Sequence, residues 1–120
     1  MLSKIEGRFQ IMVIQLFMDK SPFEFSLSGV DLGSARCEMF SRCLAFNSTL
    51  LSVHMSRKRL SDADGQLLAK VLYENTSLRK MELEGNQLGP KSAAEFGKAL
   101  KNNNTLKFLD LESNQLTVDG

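Results

Sequence analysis

The sequence predicts an α/β solenoid, a stack of short parallel strands each followed by a helix, and three observations predict it. Leu50, Leu78 and Leu106 stand 28 residues apart (78 − 50 and 106 − 78), and a fixed period in this range is the signature of stacked repeats. After each of these leucines comes an apolar residue three places on and another two further, the alternation of a strand with one face inward. The second half of each period then switches to the i, i+3, i+4, i+7 spacing of a helix with one apolar face.

The strands come first. Counted from the first leucine position, the repeats start at Pro22, Leu50, Leu78 and Leu106. Positions four and six are Phe25 and Leu27, Val53 and Met55, Met81 and Leu83, Leu109 and Leu111, all apolar and all expected to point inward. Pro22 replaces leucine in the first repeat, which a strand start tolerates. A further leucine follows at a fixed offset as Leu60, Leu88 and Leu116.

The helical sets are Cys37, Phe40, Ser41 and Leu44, then Gly65, Leu68, Ala69 and Leu72, then Ala93, Phe96, Gly97 and Leu100. The third member of each is small, which lets the helix approach its neighbours or the sheet. Gly97 costs roughly 1 kcal/mol of helix propensity against alanine, so a packing reason is expected for it. Subtracting one period from the first set lands on Phe9, Met12, Val13 and Leu16, again apolar at helical spacing. Residues 1–21 are therefore expected to be an N-terminal capping helix, a half repeat. Residues 22–49, 50–77 and 78–105 are full repeats, and residues 106–120 a partial fourth that lacks its helix.

The pattern Leu-x-x-Leu-x-Leu-x-x-Asn-x-Leu is complete over residues 106–116, and over 78–88 with Met81 for one leucine. This resembles the leucine-rich repeat proteins, and the 28-residue length with a helical second half is similar to the ribonuclease-inhibitor-like subclass. Tropomodulins, NOD-like receptors and Ran GTPase-activating proteins have repeats of this kind. The resemblance implies a leucine-rich repeat solenoid, a right-handed β-α superhelix with a parallel sheet on the concave side and helices on the convex side. It is most specific from residue 50 to 116.

The asparagine position reads Val30, Lys58, Asn86 and Asn114. In this pattern the asparagine bonds backbone groups of the turn after the strand, so the turns at Val30 and Lys58 are expected to be less well satisfied. The N-terminal half reads as the degenerate end of an array, because terminal repeats are atypical. The C-terminal half reads as interior repeat. The chain is expected to be the start or a fragment of a longer array.

Composition bounds the function. Fifteen basic and 14 acidic residues give a formal net charge of +1, without the basic excess of a nucleic-acid binder. No apolar run is long enough to span a bilayer; Ile11 to Met18 is short and interrupted by Gln15. Cys37 and Cys43 lie off a common helical face and are not expected to pair. Two free thiols without a disulfide framework suit the cytoplasm. With one histidine the chain offers no zinc set. Gly85, Gly89 and Gly97 lack the spacing and the Lys-Ser or Lys-Thr of a phosphate loop, and no cofactor is expected. Asn47-Ser48-Thr49, Asn75-Thr76-Ser77 and Asn103-Asn104-Thr105 match a glycosylation pattern, but their common repeat position, between helix and next strand, explains them without sugar.

The candidate site is the concave face. Position five reads Ser26, His54, Glu82 and Asp110, and position seven Ser28, Ser56, Glu84 and Glu112. Glu82, Glu84, Asp110 and Glu112 are expected to converge on adjacent strands with Lys80 and Phe108 at position three. That arrangement suits an acidic docking surface for a protein partner with a basic segment, with Phe108 as apolar anchor and His54 beside Glu82. No loop supplies carbonyls to make these carboxylates a metal site. A His54–Glu82 pair is capable of acid–base work, but Ser26, Ser28 and Ser56 have no positioned base or oxyanion hole. Arg57-Lys58-Arg59 is too short for a nucleic-acid tract and reads as a solvated turn.

The expected function is a non-enzymatic protein–protein interaction module, since solenoid curvature makes extended binding surfaces. What the resemblance adds as alternatives is a regulator of a small GTPase or a tropomodulin-like actin-associated protein. Strand four should leave an open edge and half-covered leucines, so the isolated chain is expected to self-associate there.

Overall fold

The computed structural model describes residues 4–116. The helix α1 (Lys4–Phe17) opens the fold, and three strand–helix units and a strand follow: β1 (Glu24–Ser26), α2 (Ser34–Phe46), β2 (Ser52–His54), α3 (Asp62–Glu74), β3 (Lys80–Glu82), α4 (Pro90–Asn102) and β4 (Phe108–Asp110). Residues 1–3 of the expected capping unit and 117–120 of the expected fourth repeat lie outside the described residues.

The four strands form one parallel sheet in the order β1-β2-β3-β4. Each residue pairs with the one 28 further on: Phe25 with Val53, Val53 with Met81, Met81 with Leu109. Register thus repeats the sequence period, and the alternation puts one side chain set inside. Phe25, Leu27, Val53, Met55, Met81 and Leu83 are buried, and Leu109 and Leu111 are half-buried against the same core. The helices stack in chain order on the other side of that core, giving a body of 49 × 28 × 18 Å. Fully burying each such side chain is worth about 1.5–3 kcal/mol, so the leucine columns hold the stack together.

Helix ends are set by local chemistry that also joins the repeats. Ser61 caps α3 in a reciprocal pair with Asp64: the Asp64 N–H donates to the Ser61 hydroxyl and the Ser61 N–H to the Asp64 carboxylate. α4 begins with Pro90 after Gly89, and no side chain of its own caps it. The Asp62 carboxylate of the preceding helix does so instead, accepting from Gly89 N (2.9 Å), Ser92 N (2.8 Å) and Ser92 Oγ (2.6 Å).

Asn47, Asn75 and Asn103 stand at the C-caps of α2, α3 and α4. Each carbonyl oxygen accepts from two backbone N–H groups ahead, as Asn75 Oδ1 does from Ser77 N and Leu78 N. Each amide nitrogen donates backwards one repeat: Asn47 to Leu16 O, Asn75 to Leu44 O, Asn103 to Leu72 O. Asn47 and Asn75 are buried, and these bonds consume their amides. The recurring motif is a repeat-joining device.

The second asparagine column works alike. Asn86 Nδ2 donates to Met55 O and Leu83 O while its oxygen accepts from Lys58 N and Leu60 N. This corrects the expectation of a poorly satisfied turn at Lys58. The next repeat's asparagine serves that turn, and Lys58 Nζ itself donates to Val30 O (2.9 Å). Val30 is buried and fills the core where asparagine would bond.

The third helical set needs correction as well. Ser92, Phe96 and Ala99 are the buried face of α4, while Gly97 and Leu100 are exposed. One period earlier Ala69 and Leu72 are buried, because α4 packs over α3. No described helix follows α4, so the same face stays open. The close approach expected at Gly97 occurs at Gly65, where an added Cβ would lie 2.1 Å from Ser92 Oγ and 2.7 Å from Leu88 Cδ2; at Gly97 it would meet nothing within 4 Å.

Cys37 and Cys43 are free thiols. Burial pushes Cys37 up to about 12, with Asp64 adding to the rise, so it is an inert core group. No helix among the described residues is long and apolar enough to cross a membrane.

Candidate functional site

The strand face carries two rows in register. Glu24, Ser52, Lys80 and Phe108 form one, and Ser26, His54, Glu82 and Asp110 the other. Glu84 and Glu112 follow in the turns after β3 and β4. Alternation forces this arrangement: the neighbours Met81, Leu83, Leu109 and Leu111 point inward, so these residues point out.

The structure divides the expected acidic cluster into two parts. Glu82 is compensated. Its carboxylate takes Lys80 Nζ at 2.9 Å and also bonds His54 Nδ1. The Lys80 hydrogen bond, helped by His54, holds its carboxyl below the usual range against the opposing effect of burial. The remaining acids, Glu84, Asp110 and Glu112, bring carboxylate oxygens within 4.8 Å of one another. Asp110 Oδ1 accepts from Glu112 N (3.0 Å), which fixes one of the three. Lys80 Nζ also stands 5.0 Å from the centre of the Phe108 ring, a cation–π contact. Phe108 is 49% exposed, and with Lys80 it borders the acidic part as an apolar shelf.

His54 is held on both sides. Its Nε2 lies 2.7 Å from Glu24 Oε1, and its Nδ1 bonds Glu82 Oε2. Carboxylates only accept, so both contacts are hydrogen bonds only when both ring nitrogens carry a hydrogen. Ser52 Oγ is 3.4 Å from Nε2, so Ser52, His54 and Glu82 superficially resemble a hydrolytic triad. Glu24 occupies, at the shorter distance, the nitrogen that would have to take the serine proton. The arrangement is a chain of polar contacts running across the strands through Glu24, His54, Glu82 and Lys80.

Glu24 was not among the residues singled out by sequence. Position three of the first repeat was the available signal, being the diagonal neighbour of His54. Asp62 was also missed. Its signal was weaker, an acidic residue at the start of a helix whose partner helix starts with Gly-Pro.

The model of the Leucine Rich repeat family matches residues 74–97 and 102–120. No curated protein sequence matches the chain. Among solved structures, leiomodin-1 actin-binding site 2 is similar in fold, with a TM-score of 0.84 and 20% identity over 100% of this chain and 68% of that one. Its agreement is with the architecture, and the family match is with the two repeats whose consensus is complete. Period, strand register, asparagine columns and these matches converge on a leucine-rich-repeat-like α/β architecture, with residues 74–97 and 102–120 matching the Leucine Rich repeat family.

Proposed function

We propose that this chain is a non-enzymatic interaction module, acting in the cytoplasm, that binds a protein partner through the strand face. Lys80, Glu82, Glu84, Phe108, Asp110, Glu112 and His54 are the contact residues in this reading, and the partner presents a basic segment. The observation that carries it is the group of Glu84, Asp110 and Glu112, whose oxygens lie within 4.8 Å of one another beside the exposed Phe108 ring. Clustered like charges raise the local potential, and a cation relieves it. An apolar anchor beside such a patch is a common interface plan. Glu82 contributes shape more than charge, since Lys80 and His54 compensate it.

Fluorescence anisotropy with Lys/Arg-rich peptides at low and moderate salt tests this. Saturable binding that weakens as salt rises supports it; no preference for basic over acidic peptides contradicts it. The second reading is a tropomodulin-like role on actin, favoured by the fold shared with a leiomodin-1 segment named for actin binding. Co-sedimentation with actin filaments separates the two. Pelleting that survives loss of the acidic groups places actin on another surface.

A further inference from the structure

The other half of the strand face has opposite character. A hollow there is lined by the hydroxyl-bearing Ser26, Ser28 and Ser56, by Arg57 and Lys58, and by His54 and Glu84 where it meets the acidic part. Behind it stands Arg8 of α1, whose guanidinium donates to Ser28 O (2.7 Å) and Ser26 O (2.8 Å). These carbonyls are neutral, so the charge of Arg8 is not cancelled. Lys58 Nζ likewise donates to a carbonyl, that of Val30. Arg42 pairs with Glu38 and Lys80 with Glu82. Burial depresses the Lys58 ammonium, the nearby Asp31 opposes this, and Arg8 adds a smaller lowering, so Arg8 and Lys58 stand close enough to feel one another.

Arg57 adds a second observation. Its φ is +55°, and the equivalent positions of the other repeats, Gly29, Gly85 and Ser113, are also left-handed. Two of those are glycine, which takes this conformation freely, whereas a large side chain is disfavoured in it. The second repeat nevertheless places an arginine there; Arg57 lines the hollow, and its side chain runs past Gly85 of the next repeat.

We propose that the hollow is a phosphate-monoester site, filled by a phosphorylated serine or threonine of the docking segment. Two guanidinium or ammonium groups and three hydroxyls suit a dianion with three acceptor oxygens better than a planar carboxylate. The inference rests on the reading that the strand face docks a partner segment, and it adds polarity. Strands β2 and β4 are about 10 Å apart, two interstrand spacings, which an extended chain covers in roughly three residues. The segment then carries its phosphoryl group over Arg57 and Lys58, and a basic residue three places away over Asp110 and Glu112.

The test uses the full chain in amide-detected NMR and calorimetric titrations with three probes: inorganic phosphate, a phosphoserine peptide with arginine at the third place on, and its unphosphorylated twin. The phosphopeptide is expected to bind about tenfold more tightly than its twin, and phosphate alone to shift the amides of Ser28, Ser56 and Arg57. Arg57→Gly keeps the left-handed turn and removes the charge, so it should abolish that advantage while leaving the twin's binding unchanged. Lys58→Gln should reduce the advantage in the same direction. Equal binding of the two peptides, or an Arg57→Gly variant that retains the full advantage, overturns the site. If the twin fails to bind while phosphate still shifts these amides, the basic-segment reading falls and the phosphate site stands.

Discussion

The Asp62 carboxylate caps a helix in the next repeat through Ser92, taking its N–H at 2.8 Å and its hydroxyl at 2.6 Å. Ser92 is fully buried and Asp62 half-exposed, so the pair joins α3 to α4 at the rim of the helix layer. Burial alone would raise the Asp62 carboxyl, but the bonds from Ser92, Gly89 and Lys91 outweigh it and hold it below its ordinary 3.8.

Asp62→Ala is expected to destabilise by about 1 kcal/mol, the ordinary worth of a helix cap, with hydrogen-exchange protection lost first at the start of α4. A depressed folded-state value means the stabilisation is present above the unfolded value and lost as pH falls through the folded one. Asp62→Asn should therefore flatten the acid limb of stability below about pH 4. Denaturant midpoints at pH 7 and pH 3 check this, and an unchanged acid limb counts against the cap.

The same substitution at two glycines should have opposite signs. Gly65→Ala puts a methyl into Ser92 and Leu88 and is expected to cost about 1–3 kcal/mol despite better helix propensity. Gly97→Ala meets open space and is expected to gain up to about 1 kcal/mol. Thermal melts of the two variants read this directly; matching shifts would mean α3 and α4 do not approach at Gly65.

Much of this was legible because the solenoid is periodic. The strand residues and three of the four helical faces follow from spacing, since each repeat meets the same neighbours. Legibility failed where neighbours differ. Gly97 and Leu100 have the pattern of Ala69 and Leu72 but no following described helix to cover them. The position-five column put His54 beside Glu82, as it is, but the bond from Lys80, two residues along the same strand, was not foreseen. Side-chain pairing across strands depends on rotamers that no period encodes.

Leu83→Asp should destabilise far more than Glu84→Ala. Leu83 is buried in the core and Glu84 faces out, so the first buries an unpaired carboxylate at several kcal/mol and the second stays within about 0.5. Chemical denaturation of both variants is the check, and similar midpoints would show that the strand phase is wrong.

The two edges of the sheet differ. Arg8 covers β1 by bonding Ser26 O and Ser28 O, while Leu106, Leu109, Leu111 and Leu116 beside β4 are only half-buried. We propose that the 120-residue chain self-associates at the β4 end, as unpaired strand edges do. Light scattering should show concentration-dependent species, and adding a fourth helix with a polar outer face should give a monomer. A monodisperse 120-residue chain would contradict this.

The central claim, docking on the strand face, is tested most directly by the association rate of a Lys/Arg-rich peptide with the Glu84→Lys/Glu112→Lys variant. Both positions lie outside the core, so the fold should persist, which circular dichroism confirms. Association is expected to slow by about tenfold or more at low salt, with a weaker salt dependence than the parent chain. An unchanged rate and an unchanged salt dependence in a folded variant would contradict it.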